Sequence, residues 1–140
     1  RGRGKTMKKL IALLLLTPFL AVSAATPIFE YDCTFTHAAD QKGYREEDSM
    51  KLLYMSFDDN SGMMRGNAGG AEVKTIYVRD QLTFVETTPS GNVTTTTILM
   101  GTGAAVHSRN MFWSGRLGPS QFYGGCDITD LRTGDTKRAQ

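Results

Sequence analysis

Few side chains in this chain are of a type and spacing to do chemistry. It holds two histidines and two cysteines. His107-Ser108-Arg109-Asn110 sets a base, a hydroxyl and a guanidinium in a row. Neighbours on a strand point to opposite faces, so His107 and Ser108 are badly placed to act on each other. Nothing around Ser108 matches the strand-turn-helix context of a nucleophile elbow. Glu46-Glu47-Asp48 offers paired carboxylates for acid–base work, but such a pair needs a cleft that keeps one carboxyl protonated. Three acids beside Arg45 fit a solvated turn better. Asp58-x-Asn60-x-Gly62 hints at a calcium loop, yet Gly69 stands at its twelfth position, where a bidentate glutamate is needed. A hairpin turn accounts for it. The set predicts no catalytic group, no metal site and no cofactor, and the chain is read as a non-enzyme.

Cys33 and Cys126 bracket the chain's central part, with no CxxC and no clustered histidine to make a zinc site. Their state depends on the compartment. Met7-Lys8-Lys9, the apolar run Leu10 to Val22 broken by Thr17 and Pro18, and the small residues Ser23-Ala24-Ala25 form the tripartite pattern of a secretory signal. The run is shorter than the roughly 20 apolar residues of a membrane span. No cysteine follows the cleavage region closely, so no lipid anchor is expected. Export to the periplasm or beyond makes a Cys33–Cys126 disulfide the default. Asn92-Val93-Thr94 is a glycosylation sequon, but the leader is bacterial in type and no glycan is expected. The leader and its upstream residues carry Arg1, Arg3, Lys5, Lys8 and Lys9 and no acid, so the remainder has more acids than bases. No basic stripe survives to suggest nucleic acid.

The elements that must position these residues read as strands. Phe29, Tyr31, Cys33 and Phe35 alternate with Glu30, Asp32, Thr34 and Thr36, a period of two that turns Cys33 inward. Phe122, Cys126 and Ile128 share one parity in a second candidate strand, Gln121 to Ile128. Met50 to Asp58, Glu72 to Val78, Leu82 to Thr88 and Val93 to Met100 are further candidates, the last with four successive threonines. Asp58 to Gly62 and Pro89-Ser90-Gly91-Asn92 read as hairpin turns. Three stretches read as long loops: His37 to Ser49, with room for one helical turn; Met63 to Ala71; and Gly101 to Ser120, with room for a short strand. Two inward cysteines on the first and last strands imply that those strands meet, as in a barrel, whose closure removes exposed edges.

The expected fold is therefore all-β: a small antiparallel barrel or closed sandwich of about seven to eight strands, stapled by one disulfide. Residues 1–6 read as an upstream extension or fusion scar, 7–25 as the leader, 26–128 as one β domain and 129–140 as a polar tail that frays. The expected core is Phe29, Tyr31, Phe35, Leu53, Met55, Phe57, Phe84, Ile98 and Phe122.

Taken together, Tyr31-Asp32-Cys33, the stretch Met100-Gly101-Thr102-Gly103-Ala104-Ala105-Val106, Phe112-Trp113-Ser114 and Cys126 resemble one family. These are the small periplasmic or membrane-bound inhibitors of C-type lysozyme, which are eight-stranded barrels. The resemblance covers about a third of the exported part. It implies a serine and a basic side chain on a glycine-rich loop entering an acidic enzyme cleft. Thr102 supplies the hydroxyl; Ala105 and Val106 stand where the family has the basic residue and a tyrosine. The chain is also similar to small exported bacterial proteins with no assigned function.

The functional expectation is a non-enzymatic binding module of the bacterial envelope, inhibitor-like, contacting a secreted hydrolase or another envelope protein. Its contact would be the Gly101 to Ser120 segment, through Thr102, His107, Arg109, Phe112 and Trp113, with Trp113 either an anchor or core. One alternative is a barrel holding a small apolar ligand, which small barrels usually leave no room for. Another is a weak enzyme built on His107 or Glu46.

Overall fold

The computed structural model describes residues 25–66 and 69–140. The leader read at residues 7–25 lies, apart from Ala25, outside them. No helix occurs among the described residues, and none is therefore long and apolar enough to cross a membrane. The strands are β1 (Pro27–Asp40), β2 (Gly43–Phe57), β3 (Ser61–Gly66), β4 (Gly69–Val78), β5 (Gln81–Thr87), β6 (Val93–Leu99), β7 (Ala104–Trp113), β8 (Arg116–Asp130) and β9 (Thr136–Lys137). Each is antiparallel to the next, and β1 also pairs with β8. The result is a closed eight-strand up-and-down barrel with one short added strand, as the alternation of β1 and β8 predicts.

Cys33 and Cys126 face each other in the β1–β8 register and form the disulfide. Gly124, two residues before Cys126, serves this seam. A Cβ on Gly124 would collide with the Thr34 carbonyl and come within 2.6 Å of Phe35 Cα. Only glycine lets β1 lie this close. The core beneath is aromatic. Phe84 stacks on Tyr54 at 4.4 Å and meets Tyr31 edge-on at 5.3 Å, with Leu82 and Ile98 fully buried around them.

The phase of β2 is the reverse of the expectation. Leu52, Tyr54 and Ser56 point inward, while Leu53, Met55 and Phe57 are only partly buried and lie on the outer parity. The β1 register decides this, since Cys33 pairs with Leu52 and Tyr31 with Tyr54. Ser56, polar but wholly buried, is accommodated by the Tyr31 hydroxyl 3.4 Å away. Of the other expected core residues, Tyr31, Phe35, Phe84 and Ile98 are buried, and Phe29 and Phe122 pack against them.

All three expected long loops are hairpins instead. His37 to Ser49 belongs to the β1–β2 hairpin, the described part of Met63 to Ala71 to β3 and β4, and Gly101 to Ser120 mostly to β7 and β8. The β7–β8 turn is only Ser114-Gly115. Both have positive φ (49° and 76°), the pattern of a tight two-residue hairpin turn. Nor do residues 129–140 form a loose tail. β9 takes the edge of β8 just beyond the start of β7. Arg138 pairs with Asp127 at 2.9 Å, and Gln140 N–H donates to the Thr102 carbonyl at 3.1 Å.

The meander gives the barrel two unlike ends. The hairpins β1–β2, β3–β4, β5–β6 and β7–β8 turn at one end, called here the mouth. The turns around residues 58–60, 79–80 and 100–103, and the residues after Asp130, share the other, the tail end.

Candidate functional site: the mouth of the barrel

The mouth is built by inward positions continuing past the core. On β7 these are Ala105, His107, Arg109 and Met111. Across the sheet, Thr96 pairs with His107 and His107 with Phe122; one rung further out, Thr94 pairs with Arg109 and Arg109 with Ser120. Thr94 also pairs with Glu86 on β5. Towards the mouth, then, hydrocarbon gives way to polar groups without any break in the alternation.

His107 is 4% exposed. Its Nδ1 lies 2.7 Å from Thr96 Oγ1, and Thr96 Oγ1 lies 2.6 Å from the Tyr54 hydroxyl. One consistent order has Tyr54 donating to Thr96 and Thr96 to Nδ1, which puts the ring proton on Nε2. The ring sits between Phe35 and Phe122, with centroids at 5.8 and 6.1 Å. Burial first, and then the Arg109 charge, pull the His107 pKa down to about 4, so the ring is neutral at neutral pH. Ser108, on the outer parity of β7, faces away from it. Burial of Tyr54 raises its hydroxyl pKa well above the ordinary value and keeps it a neutral hydrogen-bonding group.

Arg109 lies half-buried over the Phe122 ring, its guanidinium carbon 4.3 Å from the centroid. It makes no ion pair among the described residues, and its Nε is buried without a hydrogen-bond partner. By contrast Arg45, on the neighbouring hairpin, pairs with Asp40 at 2.9 Å and Glu47 at 2.8 Å. A groove of about 540 Å³ runs between the β1–β2 and β7–β8 hairpins, bordered by Lys42, Arg45, Arg109 and Arg116 against Asp40 and Glu47. On the outer side of the same rim, Phe112 pairs with Leu117 across the turn. They are 60% and 70% exposed. Tyr44 stacks on His37 at 5.3 Å and meets Tyr123 edge-on at 5.7 Å.

The structure therefore divides the residues singled out from the sequence. Arg109 and Phe112 do lie at one end, Arg109 inward and Phe112 outward. His107 lies deeper in the interior. The Trp113 side chain lies outside the described residues. Thr102 sits at the opposite, tail end, where its hydroxyl accepts from Ala104 N–H at 3.2 Å and Lys137 Nζ donates to the nearby Met100 carbonyl at 3.3 Å. Gly101 to Ser120 is thus no single contact loop; it runs the length of the barrel. Glu46 sits on the exposed β1–β2 hairpin, nearly level with His107 but three strands away and on the outer parity, in line with His37, Tyr123 and Val106.

Several mouth residues went unmarked in the sequence: Leu117, Glu86, and the methionines 50, 64 and 111. Glu86 shares parity with Leu82 and Phe84, and a charged residue on an inward parity was the available signal. No group of three or more histidine, cysteine or acidic side chains that could hold a metal ion occurs among the described residues. No family model, no curated protein and no solved structure matches this chain.

Proposed function

We propose that the protein is a non-enzymatic, exported binding module that grips a partner protein with the hairpin rim of its barrel. The observation that carries this is the Phe112–Leu117 pair, 60% and 70% exposed, at the tip of a hairpin closed by a two-residue turn. A large apolar pair held out by a rigid turn is costly to leave in water and is suited to anchor an interface. The adjoining groove carries four basic side chains against two acidic ones. The complementary partner surface is acidic with an apolar recess, as at the cleft of a secreted hydrolase. Catalysis is disfavoured by the environment of His107, which is buried, neutral and already bonded to Thr96.

C-type lysozyme is the probe that the sequence resemblance nominates. The oxidised domain should inhibit it, and Phe112→Ala/Leu117→Ala should weaken inhibition by at least tenfold. Equal inhibition by the double variant overturns the rim reading. If Thr102→Ala removes inhibition instead, the tail-end turn is the contact. No inhibition at high protein concentration rejects lysozyme as the partner. In that case, equal recovery of envelope proteins by wild-type and double-variant baits rejects the rim altogether.

A further inference from the structure

Inside the rim, between β2, β3 and β4 on one side and β5 to β7 on the other, lies a cavity of about 350 Å³. That is within the range of small-molecule sites. It shares Arg109 and Met111 with the rim groove, but the argument for it does not depend on a protein partner. Three charged side chains line it: Arg109 and Glu86 from inward positions, and Lys51 from the outer parity of β2. Glu86 and Arg109 occupy one rung on β5 and β7, joined through Thr94 on β6, so two inter-strand steps set their backbones roughly 10 Å apart. No ion pair joins them. Glu86 accepts only a hydrogen bond from the Thr94 hydroxyl at 3.0 Å, and Arg109 has its buried, unpartnered Nε. Buried donors are nearly always bonded in folded proteins, so Arg109 keeps a donor for an acceptor that the described residues do not supply.

Much of the remaining lining is soft and apolar. Met50, Met64 and Met111 line the same cavity, with His107 at its base and Lys51 at its outer border. Methionine side chains adapt to irregular apolar groups. We propose that this cavity binds a free α-amino acid with an apolar side chain, its carboxylate on Arg109, its ammonium on Glu86 and its side chain among the three methionines. A guanidinium fork matches a carboxylate in two parallel hydrogen bonds. A plain fatty carboxylate would satisfy Arg109 but would leave its own charge beside the uncompensated Glu86 carboxylate. A plain amine would meet the reverse problem with Arg109. A ligand carrying both charges complements the pair.

The test is titration of the oxidised domain, followed by calorimetry and by amide chemical shifts, with L-leucine and L-methionine, and with hexanoate and isobutylamine as single-charge probes. Leucine or methionine should bind saturably, with shifts centred on β5 to β7, and each single-charge probe should bind at least tenfold more weakly. Glu86→Gln should reduce leucine affinity about tenfold and leave hexanoate no weaker. Arg109→Gln should abolish leucine binding. Because that variant alters a half-buried charge, its dispersion of amide shifts must match the wild type, and Glu86→Gln carries the test if it does not. Hexanoate binding as tightly as leucine, leucine affinity unchanged in Glu86→Gln, or no saturable binding of either amino acid overturns the proposal. Phe112→Ala/Leu117→Ala should bind leucine normally, so failure of the rim reading and failure of this one are told apart.

Discussion

The tail half and the mouth half of the barrel share one alternation but use their inward positions differently. In the tail half, Tyr31, Leu82, Phe84 and Ile98 close the interior around the disulfide. In the mouth half, the corresponding positions on β5 to β7 hold Glu86, Thr94, His107 and Arg109. Small barrels usually fill their interiors with side chains. This one does so over only part of its length. An apolar, sealed stretch and a polar, open one are thus built from the same strands, with the Tyr54–Thr96–His107 chain as the boundary.

That division can be broken most severely at the seam. Replacing both cysteines by serine should cost up to about 4–5 kcal/mol, since the bridge closes a loop of sequence separation 93. Urea unfolding without reductant measures it, and a loss below about 1 kcal/mol would mean that the seam is held by pairing alone. Next comes the tail-half core. Phe84→Ala removes the ring on which Tyr54 stacks and Tyr31 packs, and should cost about 3–5 kcal/mol by the same measurement.

At the boundary the readout is pH. His107 has a folded pKa of about 4 against an ordinary 6.5, so the unfolded chain binds the proton more readily. Its contribution to stability is complete above about pH 6.5 and is lost as pH falls through 4, a change of roughly 3 kcal/mol. His107→Gln, which keeps a partner for Thr96 but does not titrate, should flatten that part of the stability–pH curve. An unchanged slope would place the titration elsewhere. Smallest is the rim. Phe112→Ala should shift stability by no more than about 0.5 kcal/mol, because the ring is mostly in solvent. A loss comparable to that of Phe84→Ala would erase the distinction between the halves.

How much of this was legible in the sequence depended on contrast between neighbouring residues. β1 and the end of β8 were readable because polar residues separate the apolar ones, and both cysteines fell on the correct parity. β2 was not, because Leu52-Leu53-Tyr54-Met55 is apolar on both parities, and a polar residue, Ser56, takes the inward place. β7 and the far half of the β1–β2 hairpin read as loops because their inward positions, such as Ala105, His107, Arg109 and Ala38, include few large apolar residues, so neither face stands out as hydrophobic. His107 and Arg109 were singled out as unusual residues, but their opposite depths, and the separation of Thr102 from both, depend on which end each turn occupies. That is a property of the closed meander rather than of local spacing.

Closure between β1 and β8 also sets the order in which the chain can become a protein. β1 has β2 beside it almost at once, but its other edge waits for Gln121 to Asp130, nearly a hundred residues later. A growing chain, on a ribosome or emerging from a membrane channel, carries that open edge throughout. Contacts so distant in sequence form slowly, on the millisecond-to-second scale typical of such topologies. An exposed edge of this kind is also a template for wrong pairing. The first strand made is therefore the last to be protected, and a chain halted before β8 is expected to aggregate rather than to fold in part.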